Sequence, residues 1–439
     1  MYGLSRAEAR FALVISSTHF AQHVYVRVLP PLIPLLAVVF DYPLWQLGLL
    51  LTLFSIGFSI TQAPLGILAD RIDRLYLLPA GIGIGGAGYL VFAIAPLIGP
   101  WLPSITILGY TFYGGFHVMS IAMLIVGTGV AVVHPAGYPM ITDNVEDGNK
   151  GKVLGLFGAS SKLGDGVTPA IIAGLIIILA WEWIVLFFGI AGIVYAVALF
   201  AILNRDQYET APASTRQSPD QQTDIRDFDG PQFLYPVLAI YVFFMGTGFT
   251  GRGLGTFYPA FLVGVYAFSV SVAGIQIGAE SIASLYFAVL LFAGAGMQLY
   301  LGNLADIHDH RMILIGCMSL ATIGMLALAI LPLHPLLLLL VTIVLGAGLF
   351  GVNPPRDAII SNVSPPEFEG RMFGYIFTAV GLTGALFPTA IGYLMDVMGY
   401  REGFLLLAIG TMLGAVAIGL LYSERVYVDQ SLPQASESD

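Results

Sequence analysis

Long apolar stretches recur along this chain and leave little room for segments of any other kind. Hydrophobic residues make up 57% of its 439 residues and charged residues only 10%, whereas about a quarter of the residues of a soluble domain are charged. Helices of about 20 apolar residues cross a bilayer, because a helix satisfies its own backbone hydrogen bonds. The sequence therefore predicts an all-α membrane protein embedded in a lipid bilayer.

Polar breaks divide the apolar stretches into twelve predicted transmembrane helices. They lie near residues 11–39, 45–69, 77–98, 119–142, 153–180, 182–203, 233–262, 279–304, 312–331, 335–361, 371–395 and 402–422. The segment 204–230 is polar, interrupted by proline and without apolar periodicity, as is typical of a flexible linker. We expect an N-terminal six-helix bundle at 1–203, a linker at 204–231, a C-terminal six-helix bundle at 232–424 and a tail at 425–439.

The two halves repeat each other, which predicts two pseudo-symmetric bundles. GILADRIDR at 66–74 recurs as GNLADIHDH at 302–310. Gly127 recurs as Gly346, at a shorter spacing than that of the two loop motifs. The difference between the two spacings predicts about 17 extra residues between the third and fourth helices of the first half, in the uncharged stretch 96–119.

The single cysteine and the charge distribution exclude several classes of protein. Cys317 has no second cysteine to form an intrachain disulfide or a cysteine-cluster metal site, so we expect neither a metal nor a cofactor. The net charge of −10 argues against a nucleic-acid partner. No metal-ligand helix motif, P-loop or nucleophile elbow is present, so we do not expect an enzyme.

The loop motif G-x-L-A-D-R-x-x-R at 66–74, repeated at 302–310, resembles the signature loop of the major facilitator superfamily. The segments HFAQHVYVRVLPPLIPLL at 19–36, GTGVAVVHPAGYPM at 127–140 and FGASSKLGDGVTP at 157–169 resemble the fosmidomycin-resistance branch of its drug exporters. The resemblance covers nearly the whole chain. It implies the major facilitator fold, in which two six-helix bundles alternate around a central site.

Charged residues of the repeated loops are candidates for a gate. Asp70 ends the second helix, where its carboxylate can face the positive end of a neighbouring helix dipole. If the bundles pack as the resemblance implies, its partner is helix eleven near Arg371, and Asp306 faces helix five. The gating candidates are Gly66, Asp70, Arg71, Arg74, Gly302, Asp306 and Arg371. The alternative is that these are ordinary solvated loop charges with Gly66 as a packing glycine.

Two arginines fall near the middle of matching helices. Arg27 lies in the first predicted helix and Arg252 in the seventh. Such charges are expensive in lipid and normally face a cavity, and two guanidiniums can hold phosphonate, phosphate or carboxylate by paired hydrogen bonds. Organophosphate antiporters of the same superfamily are similar in carrying an arginine on each of these helices. The alternative is that each arginine pairs with an internal carboxylate, for which Asp165 and Glu280 are available.

Further polar residues within the predicted helices are candidates for substrate binding or proton coupling. His19 and His23 share a helix face with Arg27, and a histidine beside a cavity can carry a proton near neutral pH. The proton-coupling candidates are His19, His23, Asp165 and Glu280, and the further substrate-binding candidates are His134, Asn353 and Lys162. The alternatives are neutral histidines bonded to neighbouring helices, and a Lys162–Asp165 pair that only neutralises its own charges.

These observations predict a secondary transporter of the plasma membrane that works by alternating access. We expect a monomer that exports a small organic anion or drug as an antiporter, with protons as the coupling ion. Uptake or exchange of an organic anion such as a carboxylate or phosphate ester is the nearest alternative. A transporter-like membrane receptor is less favoured, because the linker and short tails provide no extra domain.

Basic residues predict the orientation of the chain, since they are concentrated in cytoplasmic loops. Seventeen lysines and arginines are present. Only Arg401 falls in an outer loop, and four lie within spans. The remaining twelve share one side of the membrane: Arg6, Arg10, Arg71, Arg74, Lys150, Lys152, Arg205, Arg216, Arg226, Arg311, Arg371 and Arg425.

We therefore predict that the linker and both termini face the cytoplasm. A protease added to intact cells should leave residues 206–229 uncut, because the bilayer separates them from the medium. The same protease should cut this segment once the cells are permeabilised. Cleavage in intact cells would contradict the orientation.

Overall fold

The computed structural model describes residues 3–206, 208–212, 231–305, 307–363, 376 and 379–423, and these are almost entirely helical. The N-terminal half contains α1 (Arg6–Arg27), α2 (Leu29–Phe40), α3 (Leu44–Ala69), α4 (Arg74–Ala93), α5 (Ala95–Ile98), α6 (Gly114–Val130), α7 (Val133–Asn144), α8 (Asp147–Leu175) and α9 (Trp181–Asp206). The C-terminal half contains α10 (Pro231–Val265), α11 (Ala279–Ala305), α12 (His310–Ile330), α13 (Pro335–Phe350), α14 (Asn353–Val363), α15 (Phe387–Met398) and α16 (Tyr400–Leu420).

Within the described ranges, eleven helical segments are long and apolar enough to cross a membrane. Four of them combine two helical stretches: Arg6–Phe40, Gly114–Asn144, Pro335–Ile360 and Ala379–Met398. The remaining predicted helix is α8, which is continuous over 29 residues but carries five charged side chains. Its polarity has a physical reason, because α8 packs against α1 and α11 at the centre of the molecule. The protein is therefore a multi-pass membrane protein with the predicted all-α fold.

Proline explains the interruption between α1 and α2. Pro30 and Pro31 have no N–H to donate to the carbonyls of Val26 and Arg27, one helical turn earlier. The helix stops at Arg27 and resumes at Leu29. Irregular backbone of this kind is tolerated inside a membrane where it is covered by protein or lines a cavity.

The internal repeat is visible in equivalent helix contacts. A Cβ at Gly127 of α6 would overlap the Phe54 carbonyl of α3, and a Cβ at Gly346 of α13 would overlap the Leu290 carbonyl of α11. The spacing between Gly127 and Gly346 and the longer spacing between Phe54 and Leu290 are the same two spacings that relate the repeated sequence motifs. Close backbone approach through glycine is how membrane helices associate without a hydrophobic driving force.

The loop motif also repeats in its local structure. The side chain of Asp73 accepts a hydrogen bond from the Leu75 amide at the start of α4, at 2.9 Å. Asp309, at the matching position of the second motif, accepts one from the Arg311 amide at the start of α12, at 2.8 Å. Each motif therefore supplies the N-cap of the helix that follows it.

The extra residues of the first half form α5, a 3₁₀ turn at Gly99–Trp101 and a hairpin of β1 (Ile105–Ile107) and β2 (Tyr110–Phe112). A second hairpin, β3 (Val270–Val272) and β4 (Ile275–Ile277), joins α10 to α11. The insertion was predicted from the spacings, but neither hairpin was. Their turns, Leu108–Gly109 and Ala273–Gly274, have positive φ at both residues, as in two-residue type I′ turns.

The two bundles are packed together at the end of the molecule that carries the hairpins, which we call the hairpin end. Gly48 of α3 leaves no space for a Cβ against Pro388 of α15, and Thr52 and Thr389 share a hydrogen bond of 2.8 Å. On the other side of the seam, the Ser281 hydroxyl of α11 donates to the Ala173 carbonyl of α8.

The opposite end carries the repeated motif loops, and we call it the loop end. A Cβ placed on any of five glycines would meet no described atom within 4 Å: Gly66 of α3, Gly151 and Gly155 of α8, and Gly296 and Gly302 of α11. In this conformation no described neighbour packs on Gly66. Among the described residues, contacts between the bundles are therefore found at the hairpin end, and none is found at the Cβ positions of these five glycines.

We predict that Gly127→Val and Gly346→Val each lower the melting temperature of the purified protein. Both side chains would force apart helices whose backbones touch, at a cost of about 1–3 kcal/mol. Gly316→Val is the matched control, because a Cβ there meets open space on α12. Equal melting temperatures for all three variants would show that the close contacts do not determine stability.

Candidate central binding site

A cavity of about 340 Å³ lies between the bundles and is lined by residues of both. Arg27 and Pro30 contribute from the first span, Ser55 from α3, and Arg252 and Thr256 from α10. This volume is within the range of small-molecule binding sites. The two arginines singled out in the sequence therefore face the same space from opposite bundles.

Glycines provide the room for both guanidinium groups. A Cβ at Gly255 of α10 would lie 3.1 Å from Arg27 Nη1, and one at Gly384 would lie 2.9 Å from Arg252 Nε. The Arg27 guanidinium also lies 5.9 Å from the ring centroid of Phe287 on α11. Both glycines belong to the C-terminal bundle, which thus accommodates the two charged groups without a bulky side chain at these positions.

Asp165 of α8 is the carboxylate partner of Arg27. Arg27 Nε lies 2.7 Å from Asp165 Oδ1, and His23 Nδ1 lies 3.0 Å from the same oxygen. Lys162 Nζ lies 3.8 Å from Oδ2. Asp165 is only 4% exposed, so one buried carboxylate is shared by three nitrogen groups. In this conformation Arg27 is therefore paired with an internal carboxylate, which was the alternative to a role in substrate binding.

Arg252 has a different environment. Its Nη1 is 3.4 Å from the Ser55 hydroxyl oxygen across the cavity, which is a long hydrogen bond. Among the residues that the structure describes, no carboxylate lies within ion-pair distance of Arg252. An unpaired guanidinium in a cavity is a binding group for an anion.

The histidines continue the polar network away from the cavity. His19 Nδ1 is 2.8 Å from the Phe157 carbonyl oxygen, which can only accept, so this nitrogen carries the hydrogen. In the neutral ring Nε2 is then an acceptor, and His134 Nε2 donates to it at 3.2 Å. The rings of His19 and His23 are 5.0 Å apart. The histidines therefore form a continuous row from α7 to Asp165.

The other substrate and proton candidates lie elsewhere. Glu280 is at the start of α11, beside the hairpin end, and Asn353 is half-buried at the start of α14; neither lines the cavity. Lys162 is next to Asp165 but is not a lining residue either. Ser55 and Thr256 do line it, and sequence reasoning missed them because hydroxyl residues in apolar helices carry no distinctive pattern.

The gating candidates separate into two groups. Asp70 and Arg71 are exposed at the loop end, and within the described ranges neither forms an ion pair. Arg74 is buried, with Nη1 2.8 Å from Asp143 Oδ2, so it braces α4 against α7 within one bundle. Asp306 and Arg371 lie outside the described residues, so the structure provides no view of their predicted contacts.

Comparison with known proteins identifies the relatives of this chain. The family model described as Major Facilitator Superfamily matches residues 15–291 and 277–438. A probable L-galactonate transporter of Escherichia coli is 27% identical over 165 residues, which are 37% of this chain and 32% of that protein. The fosmidomycin resistance protein of Escherichia coli is 20% identical over 95% of this chain and 94% of its own length.

A solved structure of similar fold is that of a bacterial homologue of the human lysosomal transporter Spinster, in an inward-facing and occupied conformation. It has a TM-score of 0.75 and 15% sequence identity, and the match covers 99% of this chain and 100% of that one. At this identity the likeness shows the fold alone. It supports the arrangement of two bundles around a central cavity.

Proposed function

Given that this chain belongs to the major facilitator superfamily of membrane transporters, we propose that it moves a small organic anion across the plasma membrane. The substrate binds between the bundles, and the bundles alternate around it. Protons are the coupling ion, and both termini are cytoplasmic. With this orientation the loop end faces the cytoplasm, and the packed hairpin end faces the outside.

The observation that carries the proposal is the pair of arginines in one cavity. Arg27 and Arg252 approach it from opposite bundles, and Arg252 has no carboxylate partner in the described part of the chain. An anion that contacts both guanidiniums ties the two bundles together. Such a ligand favours closure of the loop end, which is the step that commits a bound substrate to transport.

The position of Asp165 supports the proposal of proton coupling. A substrate anion and the Asp165 carboxylate compete for Arg27, whose Nε is 2.7 Å from Asp165. When the substrate takes Arg27, the released carboxylate remains buried and loses its strongest counter-charge. A buried carboxylate without that charge favours the protonated form, and His23 at 3.0 Å provides a route for the proton.

Export remains our proposal for the direction, supported by the likeness to the fosmidomycin resistance protein over most of both chains. The geometry at Asp165 favours a second candidate, which is uptake by symport. If anion binding promotes protonation of Asp165, the two ligands bind together and move in the same direction. The partial likeness to a probable L-galactonate transporter is compatible with this alternative.

We predict that Arg252→Lys weakens binding of an anionic ligand by about tenfold or more, since it removes a charge-assisted hydrogen bond worth ~1.5–3 kcal/mol. The melting temperature of the empty protein should barely change, because no carboxylate of the described residues pairs with Arg252. Arg27→Lys should weaken binding and also lower the melting temperature, because it disturbs the pair with Asp165. Calorimetric titration with phosphonates, phosphates and carboxylates, combined with thermal melts, measures both effects. Unchanged affinity in both variants would show that the arginines are structural.

We also predict that the purified protein takes up a proton when the anion binds, if it is a symporter, and releases one, if it is an antiporter. The change in pH of a weakly buffered solution on ligand addition reports the sign. Asp165→Asn should abolish the proton exchange, because the amide has no carboxylate to titrate. Proton exchange of wild-type size in this variant would assign the coupling to another group.

A further inference from the structure

The start of α3 is capped by a residue of the other bundle. Its own N-cap position is Pro43, which has no side-chain acceptor and makes no capping hydrogen bond. Instead, Asp396 of α15 accepts from the Leu44 amide through Oδ1 and from the Trp45 amide through Oδ2, both at 2.9 Å. A carboxylate at a helix N-terminus satisfies free N–H groups and complements the helix dipole.

This cap lies on the seal at the hairpin end. A Cβ at Gly392, one turn before Asp396, would overlap the backbone of Leu44, so the two helix ends are in direct contact. The Trp45 ring packs on the other side against the first hairpin, with ring centroids 4.9 Å from Tyr110 and 5.6 Å from Phe112. The start of α3 is therefore held between α15 and the β1–β2 hairpin.

The same helix pair has a second carboxylate at its other end. Asp70 directly follows the last residue of α3 and is exposed at the loop end, and the sequence predicts its partner at the start of helix eleven. Each carboxylate thus stands at or near the C-terminal end of its own helix. Asp396 caps the N-terminal end of α3, whereas the predicted partner of Asp70, near residue 371, lies outside the described residues. When the bundles rock, the gap opens at one end as it closes at the other, so the two caps cannot form together.

We propose that Asp396 is a latch that holds the hairpin end closed, as Asp70 is predicted to hold the loop end closed. Together the two carboxylates set the equilibrium between the state open at the hairpin end and the state open at the loop end. The inference goes beyond the proposed substrate and coupling, since it concerns the empty transporter. The second seam, between α8 and α11, is joined at the hairpin end by the Ser281 hydroxyl. That contact is between neutral groups, so the charged latch belongs to the α3–α15 pair.

Distances between spin labels test the latch in purified protein without ligand. One label pair spans the hairpin end at Ser104→Cys and Ser271→Cys, on the two hairpins, and another spans the loop end at Thr142→Cys and His308→Cys. All four positions are exposed and divide between the bundles, and the single native cysteine is removed by Cys317→Ala. We expect Asp396→Asn to raise the population that is open at the hairpin end by about threefold or more.

The reciprocal variant separates a latch from a general structural role. Asp70→Asn should lower the population open at the hairpin end, and the double variant Asp70→Asn/Asp396→Asn should return towards the wild-type ratio. Asp41→Asn is the matched control, since it removes an exposed carboxylate at the hairpin end while asparagine tolerates its positive φ. Wild-type distances in Asp396→Asn would overturn the proposal. So would the same shift in Asp396→Asn and Asp70→Asn. If Asp396→Asn does not fold, an increase in hairpin-end opening in Asp70→Asn would also refute it.

Discussion

The cost of an unpaired charge in a medium without water organises the interior of this protein. Hydrocarbon offers no hydrogen bonds, so a charged group inside the bilayer must find its partner in the protein or in a cavity. Lys162 and Asp165 of α8 meet this condition at the centre of the molecule, where Asp165 joins Arg27 of α1. The other three charged side chains of α8 lie in its first six residues, at the loop end.

The same cost explains which features were predictable from sequence. The apolar stretches, the polar linker and the repeated loops can each be recognised within a short segment of the sequence. The helices, the two-bundle fold and the insertion in the first half could therefore be predicted from them. The hairpins were missed because VSVAGIQI at 270–277 looks like an ordinary apolar boundary between helices. The dipeptides Leu108–Gly109 and Ala273–Gly274 were the available signal, since a turn that needs two positive φ values favours glycine.

The candidate site was predictable by residue type and only partly by partner. A buried arginine signals a cavity or a carboxylate, but sequence spacing does not choose between the two. Arg27 and Asp165 are far apart in the sequence, and their contact depends on how α1 packs on α8. Asp396 was overlooked for the same reason, since its partners are the amides of Leu44 and Trp45, and backbone groups leave no trace in a motif search.

The two halves of the repeat share their backbone arrangement but differ in their ionisable side chains. In the proposed function, this difference gives the two bundles separate roles. In the described residues, the row of histidines and the carboxylate of Asp165 belong to the N-terminal bundle. The C-terminal bundle contributes Arg252, whose position in the cavity holds a charge without an internal partner. In the proposed function, proton exchange takes place at Asp165 in the N-terminal bundle, whereas the anion contacts both bundles. A substrate that bridges the bundles then acts on Asp165 through Arg27, which pairs with it at 2.7 Å, so this arginine connects the two processes.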